Sequence, residues 1–419
     1  MTLFDRIDTP GCGCDTRDLA ATLLPVDTAL NRGLALVDPL TATEDLPLHQ
    51  ASGRVLARPV KARADLPRFD NSGMDGYALR LTDLNGTKTL PVCGTSAASD
   101  APQPLPAGTA MRIFTGAPVP AGADTVVMQE WTTRTGNMVT FEKRPQTGSN
   151  IRRQGEDQRA NATVLTAGQR LNARHLAICA GAGHGSVSVV SKPKIALLMT
   201  GDELIAPGAE ATGGAIWDVN TPLLTSVLSD VADISFVYQV PDSFDAMIDA
   251  ISSAAQDVDL VITSGGVSVG DRDHVKPALN LLGAEIAVSG VAIKPGKPIT
   301  LSRLGRVPII SLPGNPLSAY VTWQVFGNPM LNKLCGLTEA VPPRRLVRAQ
   351  TELRHKPGRC EYRPARFCGM DHSGLEVVEC PSATHSGHLG PMAQADGLVL
   401  IPGDIDKTAT GDLLEFMPF

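Results

Sequence analysis

The chain has 419 residues, a 43% apolar fraction and a net charge of −6, and at roughly 100–200 residues per domain it has room for two to four domains. A mildly acidic chain with only 4% aromatics lacks the basic excess and the stacking platform of a general nucleic-acid binder. Its eight cysteines form no CxxC pair, so reduced thiols are expected, and Cys12-Gly13-Cys14 has no second pair of the kind that structural zinc uses.

Residues 1–24 have neither a basic n-region nor an apolar h-region. No apolar run anywhere approaches the roughly 18 residues that span a bilayer. The expectation is a loose tail on a soluble, cytoplasmic protein with no membrane and no nucleic-acid partner. Residues 25–39 place apolar side chains at helical spacing, with Asp27 or Thr28 as N-cap. "EDLPLHQASGRVLARPVKA" (44–62) reads as a strand, a turn, and a helix or strand.

From about residue 63 to 144 short apolar runs alternate with Gly and Pro clusters such as "TGAPVPAGAD", the texture of a small all-β unit. Two of its margins are too polar for a core strand and too specific for a plain loop. "RFDNSGMDGYAL" (68–79) packs Asp70, Asn71, Ser72 and Asp75 around two glycines. "SNIRRQGEDQ" (149–158) sets Arg152 and Arg153 near Glu156 and Asp157, which reads either as a site loop or as a salt-bridged turn. "GQRLNARHLAICAGAG" (168–183) reads as a helix ended by glycine.

Residues 192–336 alternate strands with helices. The strands are "KIALLM" (194–199), "ISFVYQV" (234–240), "DLVIT" (259–263) and "VPIIS" (307–311). The helices are 221–231, 243–256, 274–283 and 316–334. Such alternation predicts βαβ units and a parallel sheet with ligands outside the carboxyl ends of its strands. Those ends carry Thr200-Gly201-Asp202-Glu203, Pro241-Asp242, Ser264-Gly265-Gly266 onward through Ser268 to Asp273, and Leu312-Pro313-Gly314-Asn315-Pro316. Glycines let backbone amides turn toward an anion. The aspartates cannot bind an anion directly, but they suit a hard cation that bridges them to it, and Mg²⁺ is typically held by one or two carboxylates plus substrate phosphates. Capping of the helix near His274 is the alternative role, and it suits Asp271. In "IKPGKP", Lys294 and Lys297 flank a Pro-Gly turn, either as the cationic side of the site or as a solvated turn. There is no GxGxxG, GxxxxGK[ST] or GxSxG motif. His385 and His388 read as surface residues. From 337 onward short alternating runs predict a small β-barrel or sandwich.

At these residues the chain resembles the molybdopterin molybdenumtransferases, the family of bacterial MoeA and the gephyrin E domain. "FDNSGMDGYAL", "RIFTGAPVP", "ADTVVMQE", "NIRRQGED", "LLMTGDEL", "TSGGVSVGDRD", "AIKPGKP" and "SLPGNPLSA" occur in the family's order, over about residues 25–419. The resemblance implies a multidomain α/β fold. A three-layer α/β parallel-sheet domain of the molybdopterin-binding type (192–336) would join a small β domain (63–144), an elongated α+β linking domain (25–62 and 145–191) and a C-terminal β-barrel domain (337–419).

The resemblance further implies a magnesium-dependent transferase of molybdenum cofactor biosynthesis. It would insert molybdenum from molybdate into adenylylated molybdopterin and release AMP, as a homodimer whose active sites are shared between subunits. A molybdopterin adenylyltransferase and molybdoenzyme maturation proteins are the implied protein partners. Carried over residue by residue, Asp75, Thr115 and Asp157 look like the cross-subunit contribution. Glu203, Asp242 and Asp273 look like the carboxylates of the α/β domain and the metal ligands. Ser264, Gly265, Gly266, Ser268, Pro313, Gly314 and Asn315 would line the substrate site. Lys294 and Lys297 would face phosphate or molybdate, and Arg359 and Ser386 would come from the C-terminal domain. The chain departs from many relatives at Gly290, where they carry a lysine, and at Ser243, where they carry an acid. The adenylyltransferase step is the nearest rival activity and would need only residues 192–335. A scaffolding role would predict a further domain or a long linker.

Overall fold

The computed structural model describes residues 23–268, 273–382 and 385–419. Cys12, Cys14, Gly270 and Asp271, with the tail before Leu23, lie outside them. The described chain divides into two compact units, one of residues 45–52 and 56–189, the other of residues 23–44, 53–55 and 190–419.

The predicted first helix forms as α1 (Val26–Ala35). Its N-cap is Pro25, not Asp27 or Thr28, and no side chain caps it. A proline with φ −56° and ψ 149° already holds the extended geometry that a helix entrance needs, which leaves Asp27 in the first turn to favour the positive end of the helix.

The stretch read as all-β forms strands. Strands β1 (Gly76–Leu79), β2 (Thr89–Ser96), β3 (Ala110–Ile113), β4 (Thr125–Met128), β5 (Thr132–Thr135) and β6 (Met138–Phe141) form one sheet in the order β4-β1-β3-β2-β6-β5. All pairs are antiparallel except β2 with β3. Leu79, Val92, Val127, Val139 and Phe141 build its core. Gly76 lies in this sheet because nothing larger fits: a Cβ there would stand 1.9 Å from the Val127 carbonyl oxygen. In the same unit, helix α2 (Ala173–Gly181) starts later than the predicted 168. Asn172 accepts from the amides of Arg174 and His175, and the His175 ring returns to the Asn172 amide. That reciprocal cap fixes the start.

The second unit holds the predicted α/β alternation as β7 (Lys194–Thr200), α3 (Asn220–Leu228), β8 (Asp233–Val240), α4 (Phe244–Asp257), β9 (Leu260–Ser264), α5 (Val275–Leu281), β10 (Glu285–Ser289), β11 (Ile293–Lys294), β12 (Thr300–Leu304) and β13 (Val307–Leu312). The four predicted strands pair in parallel. Two strands without a clear sequence signal, β10 and β12, continue the sheet antiparallel in the order β8-β7-β9-β13-β12-β10. β7 and β9 are buried along nearly their whole length, as strands covered on both faces are. The helix expected over 316–334 is interrupted. α6 (Pro316–Thr322) passes through a π-helical turn, Trp323–Gly327, into α7 (Asn328–Leu334). Pro329 has no amide to continue the ladder, and a wider turn absorbs the mismatch.

The C-terminal strands β14 (Arg345–Ala349), β15 (Cys360–Met370), β16 (Glu376–Glu379), β17 (Gly397–Ile401) and β18 (Leu413–Pro418) close into a barrel, because β15 pairs with both β16 and β17. β11 adds to β15 outside the ring. Inside, Val347, Ala365, Val399 and Phe416 pack together.

Tyr362 on β15 is buried, and its hydroxyl accepts from Arg344 Nη2 at 3.3 Å. Burial penalises the phenolate and lifts the group from 10.0 to about 12, with Arg344 pulling the other way. The unfolded chain therefore loses this proton first. The stability tied to it is complete below about pH 10 and is lost as pH rises toward about 12. In urea unfolding followed across that window, Tyr362→Phe is expected to lose stability less steeply than the unmodified chain. Equal slopes would show that Tyr362 does not set the alkaline limit.

Candidate active site

The parallel pairings set Met199 beside Ser264, and Ser264 beside Leu312. The three following loops therefore leave the sheet at one level, on the edge where α/β proteins bind ligands. They open on a cavity of about 1110 Å³, at the upper end of the size that small-molecule sites occupy.

Every candidate that the sequence placed in this unit lines that cavity. Glu203, Asp242 and Asp273 bring carboxylates, and Lys294, Lys297 and Arg359 bring positive charge. Ser264, Gly265, Gly266 and Ser268 come from the loop after β9; Pro313, Gly314 and Asn315 come from the loop after β13; Ser386 comes from the C-terminal region. Gly265 has a φ of +95°, and a Cβ on it would meet Thr200 Oγ1 at 2.3 Å. Both the backbone conformation and the space thus require glycine there.

Asn220, which carries no motif, joins these loops. Its Nδ2 donates to Ser264 Oγ at 2.8 Å and to the Gly314 carbonyl at 2.7 Å. Asp218 orients it by accepting from the amides of Asn220 at 2.9 Å and Thr221 at 3.0 Å. Thr200 Oγ1 donates to the Ser264 carbonyl at 3.2 Å. Asn315 Nδ2 donates to Ser386 Oγ at 3.0 Å, and the Leu317 amide to the Ser386 carbonyl at 3.1 Å, so the barrel segment is tied to the loop after β13. Only the tertiary fold reveals Asn220, because its role lies in bridging two segments distant in the chain.

The cationic side is built rather than solvated. Pro295 and Gly296 are buried, and a Cβ on Gly296 would strike Thr322. Lys294 is only 25% exposed. At Gly290, φ is +99° and Leu23 Cδ2 lies 3.1 Å from where a Cβ would stand. The cavity wall at Gly290 is therefore backed by the apolar Leu23 side chain. Lys276, which the motif reading passed over, also lines the cavity; burial lowers its pKa and Asp273 opposes that. One expectation is overturned. His385 is buried at 8% exposure, with its ring centroid 4.5 Å from that of His388. Burial, then the neighbouring His388 and Lys294, hold its pKa down.

The acidic side does not form a closed cage. Among the described residues no three carboxylate, imidazole or thiol groups converge to hold an ion. Glu203, Asp242 and Asp273 share the cavity as separate hard oxygen donors. Asp202 and Asp242 brace their loops by exchanging amide hydrogen bonds of 3.1 and 3.5 Å.

The other unit carries its own polar cluster. Asp75 Oδ1 accepts from the Thr115 amide at 2.6 Å and the Thr115 hydroxyl at 2.8 Å. These bonds, the amide first, hold its carboxyl below the usual range. Arg153 pairs with Asp70 at 2.6 Å, and the Gln154 amide donates to Asp70 Oδ1 at 2.8 Å, so the two polar margins are one joined structure. Asp157 is exposed, and its amide donates to the Leu66 carbonyl at 3.1 Å.

The fold and cavity define an α/β protein with a large cavity of mixed charge at the carboxyl ends of its parallel strands. Family models match over nearly the whole chain: the MoeA N-terminal region (domain I and II) over 24–183, the probable molybdopterin binding domain over 196–333, and the MoeA C-terminal region (domain IV) over 347–419. A molybdopterin molybdenumtransferase of Haemophilus influenzae is 34% identical, with 95% of this chain and 99% of that protein aligned. One of Nostoc is 36% identical over 87% of this chain and 86% of its own length. A crystal structure of the Pyrococcus horikoshii molybdopterin biosynthesis MoeA protein superposes with a TM-score of 0.81 at 26% identity, covering 95% of this chain and all of that one. The chain belongs to the MoeA family of molybdopterin molybdenumtransferases. Among the described residues no helix is long and apolar enough to cross a membrane.

Asn220→Ala would leave the Ser264 hydroxyl and the Gly314 carbonyl without their shared donor. A loss of about 1–3 kcal/mol is expected for leaving the buried Ser264 hydroxyl without its donor. Denaturant unfolding measures it. An unchanged value would show that Asn220 does not hold these loops.

Proposed function

We propose that this chain transfers molybdenum from molybdate into adenylylated molybdopterin with release of AMP, as part of molybdenum cofactor biosynthesis. The observation that carries the reading is the cavity at the strand ends, where glycine loops, four carboxylates (Glu203, Asp218, Asp242 and Asp273) and four cationic side chains (Lys276, Lys294, Lys297 and Arg359) face one space. Its substrates would be a phosphoanhydride with a dithiolene and an oxyanion, all negatively charged. Backbone amides after β9 and β13 would hold the phosphates, while Lys294, Lys297 and Arg359 would draw in molybdate. Glu203, Asp242 and Asp273 supply the oxygen donors that suit Mg²⁺, which needs only one or two carboxylates beside substrate phosphates; when bound, it would polarise the phosphoanhydride. No side chain in the cavity stands out as a covalent nucleophile. Positioning and electrostatic stabilisation would therefore supply most of the rate.

Family resemblance supports a second element of the proposal. The Asp75, Thr115 and Asp157 loops would serve the cavity of a second copy of the chain, in a homodimer. The adenylylated substrate would be delivered by the adenylyltransferase of the same route, and the product passed to proteins that mature molybdoenzymes.

Incubation of the protein with adenylylated molybdopterin, molybdate and Mg²⁺, followed by mass spectrometry of the released nucleotide, tests the reaction. AMP that depends on molybdate supports it, whereas pyrophosphate made from ATP and molybdopterin would indicate the adenylyltransferase step. Asp273→Asn is expected to abolish insertion while changing stability by about 1 kcal/mol or less, as for a polar loop position. Restoration of molybdoenzyme activity by this variant in cells lacking the parent protein would contradict the assignment. Mixing Asp75→Asn with Asp273→Asn and allowing subunit exchange should recover part of the activity, because one site of each heterodimer then carries neither change. No recovery despite proven exchange would place both residues in one subunit's site.

A further inference from the structure

Glu361 is a carboxylate with no exposure, on a strand of the C-terminal barrel. Its Oε1 accepts from Arg363 Nε at 2.8 Å and its Oε2 from Arg363 Nη2 at 3.3 Å. Arg363 is itself buried and donates onward to the carbonyls of Pro381 at 3.3 Å, Ser382 at 3.0 Å and Arg354. Arg363 therefore already balances the Glu361 charge, and the pair is anchored to three backbone segments. Two more nitrogens approach the same Oε2: His355 Nδ1 and Lys294 Nζ, each at 3.6 Å. Lys294 is the member of this cluster that lines the cavity. The approach follows from strand pairing, since β11 runs parallel to β15 with Lys294 opposite Glu361 and Ile293 opposite Cys360.

Resting on the reading of the cavity as an anion site, we infer that Glu361 is a positioning residue: the buried Glu361–Arg363 pair holds the Lys294 ammonium at the cavity wall without neutralising it. Two features separate this role from ordinary barrel packing. At 3.6 Å the contact is longer than the roughly 2.7–2.9 Å of a charge-assisted hydrogen bond, so Lys294 is steered by the carboxylate yet keeps donors for a ligand. The Glu361 charge is also matched by Arg363, so the cluster of Glu361, Arg363 and Lys294 keeps a net positive charge, carried by the side chain that faces the cavity. A lysine has a flexible four-carbon stem and otherwise loses rotamer entropy when it clamps a ligand. A fixed counter-charge behind it lowers that cost before the anion arrives.

Calorimetric titration with molybdate of the unmodified protein, Lys294→Met, Glu361→Gln and the double variant tests the inference. Lys294→Met and Glu361→Gln should each weaken binding about 5- to 50-fold, in the range for loss of one contact to a charged group. The double variant should bind no more weakly than Lys294→Met alone, because Glu361 acts through that lysine. The salt dependence of affinity should flatten in Lys294→Met and stay flat in the double variant. Thermal unfolding of each variant monitors the fold. Should Glu361→Gln not fold, Glu361→Asp carries the same comparison, since it keeps the charge beside Arg363 and withdraws it from Lys294 by one methylene. Weaker binding by Lys294→Met with an additive or absent effect at Glu361 overturns the positioning role alone. Unchanged binding by Lys294→Met overturns the anion-site reading and this inference with it.

Discussion

The site depends on one constraint, the in-register parallel pairing of β7, β9 and β13. Because Met199, Ser264 and Leu312 lie side by side, three loops distant in sequence begin at the same height. A one-residue slip in any pairing would turn that strand's side chains to the opposite face of a sheet covered on both sides. Burial of Ile195, Leu197, Val261, Ile262, Ile309 and Ile310 thus enforces register, and register aligns the glycines with the carboxylates. The same apolar core that stabilises the unit also sets the geometry of its chemistry.

Around that edge, polar contacts convert alignment into a defined cavity. Asn220 ties the loops after β9 and β13 to the start of α3. Gly265 and Gly314 approach so closely that a Cβ on Gly314 would lie 3.4 Å from the Gly265 Cα. Without side chains, these loops can turn amides toward one space at low steric cost. The barrel contributes from the other side through the Ser386 contact with Asn315 and the pairing of β11 with β15. Lys294 and the buried barrel charges therefore lie on directly paired strands.

Both signs of charge line the cavity, and Asp273 and Lys276 act on one another there. Glu203, Asp242 and Asp273 line the cavity, and among the described residues no three such groups converge on one point. Lys294 and Lys297 emerge from a turn whose Gly296 packs against Thr322. At Gly290 the nearest neighbour of a Cβ would be Leu23 Cδ2, at 3.1 Å. In the other unit, the amide and hydroxyl of Thr115 hold the Asp75 carboxyl below the usual range.

Local text determined much of this protein. Apolar runs alternating with helices marked the four parallel strands, and glycine and aspartate at their ends marked residues that share one cavity, because strand burial and loop chemistry are both written in short windows. The strand Cys360–Met370 was hidden, since Glu361 and Arg363 place charge at buried positions and break the apolar alternation; each is tolerable only because the other neutralises it. The antiparallel strands Glu285–Ser289 and Thr300–Leu304 were hidden as well, being short and half polar. Asn220, the burial of His385 and the hold of Glu361 on Lys294 were decided only by the tertiary structure. Each depends on which distant segments meet, and pairing across 44, 94 or 67 positions leaves no trace in the spacing of neighbours along the chain.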